Sequence, residues 1–262
     1  MDLDLTGRHA LVCGASQGIG LATAHALAQL GADVTLLARR ETQLHAICAQ
    51  LPRPRPGQAH GWIAADTADT QALRRQAEAL AAGKPVHVLV NNSGGPPPGP
   101  VHGADIADFE AAIRQHLFAN HVLAEAVIPG MERDAYGRIV NVISTSVKEP
   151  IAGLGVSNST RGAVANWAKT LAAELAPRGI TVNNVLPGST QTPRIEQIIQ
   201  TTAAKSGRSA EEVQAGMVAA IPMGRFARPE ETAAAIAFLC SPAASYITGI
   251  NLPVDGGRTR SL

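Results

Sequence analysis

Short apolar runs alternate along this chain with longer stretches in which Ala, Leu and Ile return at helical spacing. The strand-like runs are HALVC (9–13), DVTLL (33–37), GWIAA (61–65), VHVLV (86–90), RIVNVI (138–143), ITVNNVL (180–186) and the closing NLPV. Between them the pattern predicts helices over 19–30, through Ile47, over 70–82, along a long stretch ending near residue 132, from about 159 to 176, and over TAAAIAFLC. Strand–helix alternation at this spacing implies βαβ crossovers, hence an α/β fold with one doubly wound parallel sheet and helices on both faces. Residues 194–220 are polar and helical in composition and interrupt the rhythm, which predicts an insertion over the sheet edge, a lid. The proline clusters at 52–56 and 96–100 are stiff loops, because the strand pattern resumes directly after each.

A length of 262 residues suits one such domain spanning 1–262. Apolar residues make up 45% of the chain and aromatic ones only 3%, so the core must be assembled from Ala, Val, Ile and Leu. The net charge of +1 argues against nucleic acid or an anionic membrane as the main partner. No apolar run approaches the length of a bilayer span, and the start carries acids where a secretory signal would carry bases; the expectation is a soluble, cytoplasmic protein. Cys13, Cys48 and Cys240 are far apart and form no CxxC pair, as expected of free buried thiols. No metal site is expected.

The first strand runs into Gly14-Ala15-Ser16-Gln17-Gly18-Ile19-Gly20 and then a helix. Glycines allow the tight turn and the close backbone approach that a pyrophosphate needs, and the helix start offers free N–H groups. In this strand–turn–helix context the string predicts a dinucleotide site of Rossmann type. The second strand ends in Ala38-Arg39-Arg40, with no acid to hold a ribose 2′-hydroxyl. A guanidinium there suits a 2′-phosphate, so NADP(H) is expected over NAD(H). Asp66 follows the third strand and Asn91-Asn92-Ser93-Gly94 the fourth, both at the carboxyl edge where doubly wound sheets bind ligands.

Together with Ile143-Ser144, Pro187-Gly188, Thr192 and Asp255-Gly256-Gly257, these motifs stand in the order and spacing of the short-chain dehydrogenase/reductase family, which the chain resembles over essentially its whole length. Within it the likeness is to 3-oxoacyl-carrier-protein reductases. The resemblance implies that Asp66 lies by the adenine, that Asn91, Ser93 and Gly94 line the cofactor cleft with Pro187 and Gly188, and that Thr192 holds the nicotinamide amide. A small departure is Cys13, where a threonine is common. Similar proteins pair two long central helices, and VANWAKTLAAEL with its Trp167 has a suitable stripe, so a homo-oligomer, tetramer or dimer, is expected.

Such proteins reduce a carbonyl or oxidise the alcohol with a Ser, Tyr, Lys and Asn set. Ser144 matches the serine; Ser157 stands for the tyrosine, Arg161 for the lysine and His116 for the asparagine. An aliphatic hydroxyl is a far weaker acid than a phenol, whose reference pKa is about 10, and it stops roughly 4 Å short of the phenolic oxygen. Arg161 lies one helical turn after Ser157 and can bind ribose hydroxyls, a carboxylate or a phosphate, but it does not relay protons. His116 is either structural or the proton donor, and Lys148 either a solvated loop residue or an overhang of the pocket. Two functions follow: an NADP(H)-dependent oxidoreductase with an atypical proton donor, or a cofactor-binding pseudoenzyme or regulatory subunit without turnover. A lyase or isomerase using the same pocket is a minor third.

Overall fold

The computed structural model describes residues 1–261. Seven strands, β1 (His9–Cys13), β2 (Asp33–Ala38), β3 (Gly61–Ala64), β4 (Val88–Asn91), β5 (Gly137–Val142), β6 (Ile180–Pro187) and β7 (Asn251–Val254), form one sheet in the order β3-β2-β1-β4-β5-β6-β7. Every pairing is parallel. Such a sheet has both faces covered, which is why the central strands read as continuous apolar runs and are buried along their length. The order reverses between β1 and β4, opening a crevice at the carboxyl ends of those two strands.

Helices α1 (Gly18–Gln29), α2 (Glu41–Gln50) and α9 (Pro229–Cys240) cover one face, packing Leu27, Leu44 and Ile236 against Val12, Val34 and Val140. On the other face lie α3 (Thr70–Gly83), α4 (Ile106–Ile113), α5 (Ala119–Arg133) and α6 (Gly155–Leu175), with Leu73, Leu123 and Ala168 against Leu11, Leu89 and Ile139. Both layers are aliphatic, as the scarcity of aromatic residues requires. The described cysteines are all free and buried.

Three elements differ from the expected pattern. The long helix before β5 is not uniform: α4 joins α5 through a π turn at Arg114–Phe118, where one extra residue is accommodated and His116 becomes fully buried. Helix α6 begins at Gly155, earlier than residue 159, so Ser157 sits in its first turn. The 194–220 region is two helices, α7 (Pro193–Ser206) and α8 (Ala210–Ala219), with a small core of their own built on Ile195, Ile199, Val213, Ile221 and Phe226. Its two ends meet at the sheet edge, where the Ala227 amide donates to the Ser189 carbonyl and the Gln191 amide to the Ala227 carbonyl.

Candidate active site

The crevice between β1 and β4 is a cleft of about 880 Å³. At its base the glycine turn is held tightly. A Cβ added to Gly20 would come within 2.3 Å of the Gly14 carbonyl oxygen, and one added to Gly14 within 2.6 Å of the Asn92 amide. Gly14 and Gly18 also have φ of +60° and +56°, a conformation that side chains disfavour. Gly20 therefore shapes the turn from behind, while Gly14, Ser16, Gln17, Gly18 and Ile19 line the cleft. No side chain caps α1: its N-cap Gln17 makes no capping hydrogen bond and its first turn holds no acid. The first amides of the helix thus remain available to an anion, the arrangement that a pyrophosphate needs.

Arg39 and Arg40 lie at the carboxyl end of β2, exposed at the rim of the cleft, and neither forms an ion pair among the described residues. Asp66 lines the same end. Ser93, Gly94, Pro187, Gly188 and Thr192 line the opposite wall, and Thr192 comes down onto the glycine turn, its methyl 3.0 Å from where a Cβ on Gly18 would stand. These residues fit a dinucleotide carrying a 2′-phosphate: open helix amides face a pyrophosphate position, and two unpaired guanidiniums stand at the ribose end.

Asn91 departs from its expected place. It is buried and does not line the cleft; its amide donates to Asn141, Asn141 to Asn184, and Asn184 to Asn251, at 2.8, 2.9 and 2.8 Å. Four asparagines in lateral register on β4, β5, β6 and β7 thus form a ladder across half the sheet. Each amide has a donor and an acceptor, so one residue can pass the chain of hydrogen bonds to the next strand and leave few buried polar atoms orphaned. Cleft lining at this strand falls to Asn92, whose amide donates to the Cys13 carbonyl. The NN, NV and NL pairs near the strand ends were the only signal of the ladder.

At the chemical end, Ser144 follows β5 and accepts a hydrogen bond from the Ser146 amide at 3.1 Å. Ser144 and Ser157 both line the cleft. Arg161 is buried, donating to the Val142 carbonyl at 2.9 Å and to the Ser93 carbonyl at 3.5 Å. Burial and the nearby charge of Arg194 pull its pKa down to about 10, which leaves it a guanidinium at neutral pH.

His116 and Lys148 are not among the residues that line the cleft. His116 lies behind the wall, bonded through Nδ1 to the Ser93 hydroxyl at 2.6 Å, and burial with the charge of Arg161 pushes its pKa down to about 2. The π turn points its ring inward, and a neutral imidazole beneath Ser93 holds that wall in place. Lys148, on the loop after β5, is outside the cleft lining. Neither tyrosine lines the cleft. Tyr136 is buried and donates to the Cys240 carbonyl, and Tyr246 is fully exposed. Sequence reasoning missed Arg194, which reaches the cleft from the first turn of α7 and donates to the Pro96 carbonyl at 2.8 Å. A basic residue in a polar surface helix carries no sign of its own that it faces a pocket.

Comparison with known proteins agrees with this geometry. A family model described as enoyl-(acyl carrier protein) reductase matches residues 14–259. The chain is similar to the NADPH-dependent reductase BacG of Bacillus subtilis, 32% identical with 98% of this chain and 100% of that protein covered. It is likewise similar to the 3-oxoacyl-[acyl-carrier-protein] reductase FabG of Aquifex aeolicus, 31% identical over 98% and 99% of the two chains. Among solved structures, L-sorbose reductase from Gluconobacter frateurii, complexed with NADPH and L-sorbose, superposes with a TM-score of 0.92 at 30% identity, covering 100% of both chains. Fold, glycine turn and full-length likeness converge: the chain belongs to the short-chain dehydrogenase/reductase family, with its resemblance to 3-oxoacyl-carrier-protein reductases.

Proposed function

We propose that this protein is an NADP(H)-dependent oxidoreductase that reduces a carbonyl or oxidises the corresponding alcohol, with the proton supplied from an atypical source. The observation that carries the reading is the completeness of the dinucleotide cleft: uncapped α1 amides, close-packed glycines, and Arg39 and Arg40 unpaired at the ribose end. NADPH-dependent relatives support the cofactor preference. When bound, the nicotinamide supplies or accepts the hydride.

The chain's own residues then divide the work. Arg39, helped by Arg40, pairs with the 2′-phosphate; the α1 amides take the pyrophosphate; Thr192 orients the nicotinamide amide; Arg161 stands in the cleft wall at the position that a lysine holds in similar proteins. Ser144 donates a hydrogen bond to the substrate oxygen. Proton delivery falls to water held by Ser144, in the space that a phenol would fill beside Ser157, because the other titratable candidates stand outside the cleft lining. Helices α7 and α8 act as the lid that excludes bulk water.

The second reading, a cofactor-binding pseudoenzyme or regulatory subunit, draws its support from the absence of any phenol at the Ser157 position and from the burial of His116. Titration with NADPH followed by a carbonyl panel, monitored by cofactor oxidation, separates the two. Binding with turnover of any acyl, quinone, sugar or keto-acid carbonyl supports the enzyme; tight binding with no turnover across the panel supports the pseudoenzyme.

A further inference from the structure

Every acid that could neutralise the deep end of the cleft is missing from its lining; Asp66, at the adenine end, is the one carboxylate there among the described residues. Two guanidiniums nevertheless converge at that deep end. A Cβ at Gly95 would lie 3.5 Å from an Nη of Arg194 and 3.9 Å from an Nη of Arg161, so the two arginines flank the same glycine from opposite elements, α7 and α6. Arg161 is 7% exposed, and its hydrogen bonds go only to neutral carbonyls, those of Val142 and Ser93. Arg194 bonds the Pro96 carbonyl and the Gln197 side chain. Neither makes an ion pair among the described residues.

Holding two like charges close together with one of them buried is costly, and each depresses the other's hold on its proton. The Arg161 pKa falls for both reasons, and that of Arg194 falls through burial. A fold keeps such an arrangement at a cleft wall where an anion restores the balance. Planar forks also leave most of their five donors free after two carbonyl bonds, and those donors match the two oxygens of a carboxylate. Ser144 and Ser157 line the same cleft, and Ser157 stands one helical turn before Arg161 on α6, so a carboxylate on the arginines would bring the rest of the ligand toward these hydroxyls.

We propose that Arg161 and Arg194 form a receptor for a carboxylate carried by the substrate, so that the carbonyl compound reduced here is an oxo acid. This deepens the oxidoreductase reading and rests on it for the reaction: hydride adds to the carbonyl carbon, a proton adds to its oxygen, and the hydroxy acid leaves. Glycine at position 95 fits the assignment, since a side chain there would enter the space between the forks. Arg194 also gives α7 a reason to close, because the anion would tie the lid helix to α6.

The test uses the full-length protein saturated with NADP⁺ and titrated with oxalate, a planar dicarboxylate, by calorimetry, with the neutral oxamide as control. Expected results are saturable oxalate binding, no oxamide binding, and a loss of roughly tenfold or more in Arg194→Gln, the range for one charge-assisted hydrogen-bonding partner, while NADP⁺ affinity stays within about twofold. Arg161→Lys, which keeps the buried charge and loses the fork, should weaken oxalate in the same direction. Oxalate binding that is absent, or unchanged in Arg194→Gln, overturns the receptor. An equal loss of oxalate and NADP⁺ in Arg194→Gln also overturns it, by assigning the arginine to the cofactor. If the parent protein fails to bind NADP⁺, the oxidoreductase reading falls; oxalate titration of the cofactor-free protein then still decides the arginine pair.

Discussion

At the scale of single residues, the cleft presents a short hydroxyl, Ser157, and a buried guanidinium, Arg161. If Ser144 presents the proton through water, Ser144→Ala should lower kcat/KM by about 10²- to 10⁴-fold with NADPH affinity unchanged, whereas Ser157→Ala should be mild. Robust turnover that collapses in Ser157→Ala would reverse these two roles. At the other end of the cleft, Arg39→Asp should weaken NADPH far more than NADH, because only NADPH presents a 2′-phosphate to the guanidinium. Equal losses for both nucleotides would remove Arg39 from cofactor discrimination. Neither expectation depends on His116, whose buried ring supports Ser93 from behind.

Elements are bound to one another by polar ties as well as by aliphatic packing. The asparagine ladder joins β4 to β7 near the carboxyl ends that carry Ser93, Ser144 and Pro187, so it sets the spacing of three cleft walls at once. Asn141 is its centre and is fully buried. Asn141→Ala should strand the amides of Asn91 and Asn184 and cost about 2–6 kcal/mol of stability, at roughly 1–3 kcal/mol per orphaned buried group. A denaturant midpoint unchanged from the parent would show that the ladder is not a structural tie. Asn91 illustrates the limit of motif reading: its residue type and place in the chain matched a cleft residue, but lateral register with Asn141 claimed its side chain.

For the molecule as a whole, four buried or half-buried histidines give the fold an acid limit. His9, His60, His87 and His116 all have pKa values lowered mainly by burial. In the unfolded chain each takes a proton near pH 6.5, while the folded protein resists protonation, so the unfolded state binds more protons below that pH. Stability is therefore undiminished by these groups above about pH 6.5 and declines as pH falls below it, with the His116 contribution continuing toward its folded value of about 2. Replacing His116 by Asn should flatten part of the decline in urea midpoint between pH 7.5 and 5; an unaltered slope would show that His116 is not among its causes. Assembly is expected at the same scale. Phe118 is 48% exposed beside α5, and Trp167 on α6 stays half-buried, which suits a second copy on this face. Light scattering should give a multiple of the chain mass at micromolar concentration, and Phe118→Lys should reduce it; a monomer mass for the parent protein would reject the oligomer.

Much of this protein was legible in one dimension because the determinants are local. Alternating periods of two kinds name the strands and helices, glycines before a helix name the turn, and the residues just past each strand fall at the carboxyl edge whatever the details of packing. Those rules brought Gly14, Gly18, Arg39, Asp66 and Ser93 to one cleft, and the family resemblance added Ser144, Ser157, Arg161, Gly188 and Thr192 to it. What tertiary structure decided is where side chains from distant segments meet. Lateral register joined four asparagines; a single extra residue in a π turn buried His116; and helix α7 delivered Arg194 beside Arg161 across Gly95. Each outcome depends on a rotation or a one-residue shift that local composition leaves free, and each is settled by the packing of elements far apart in sequence.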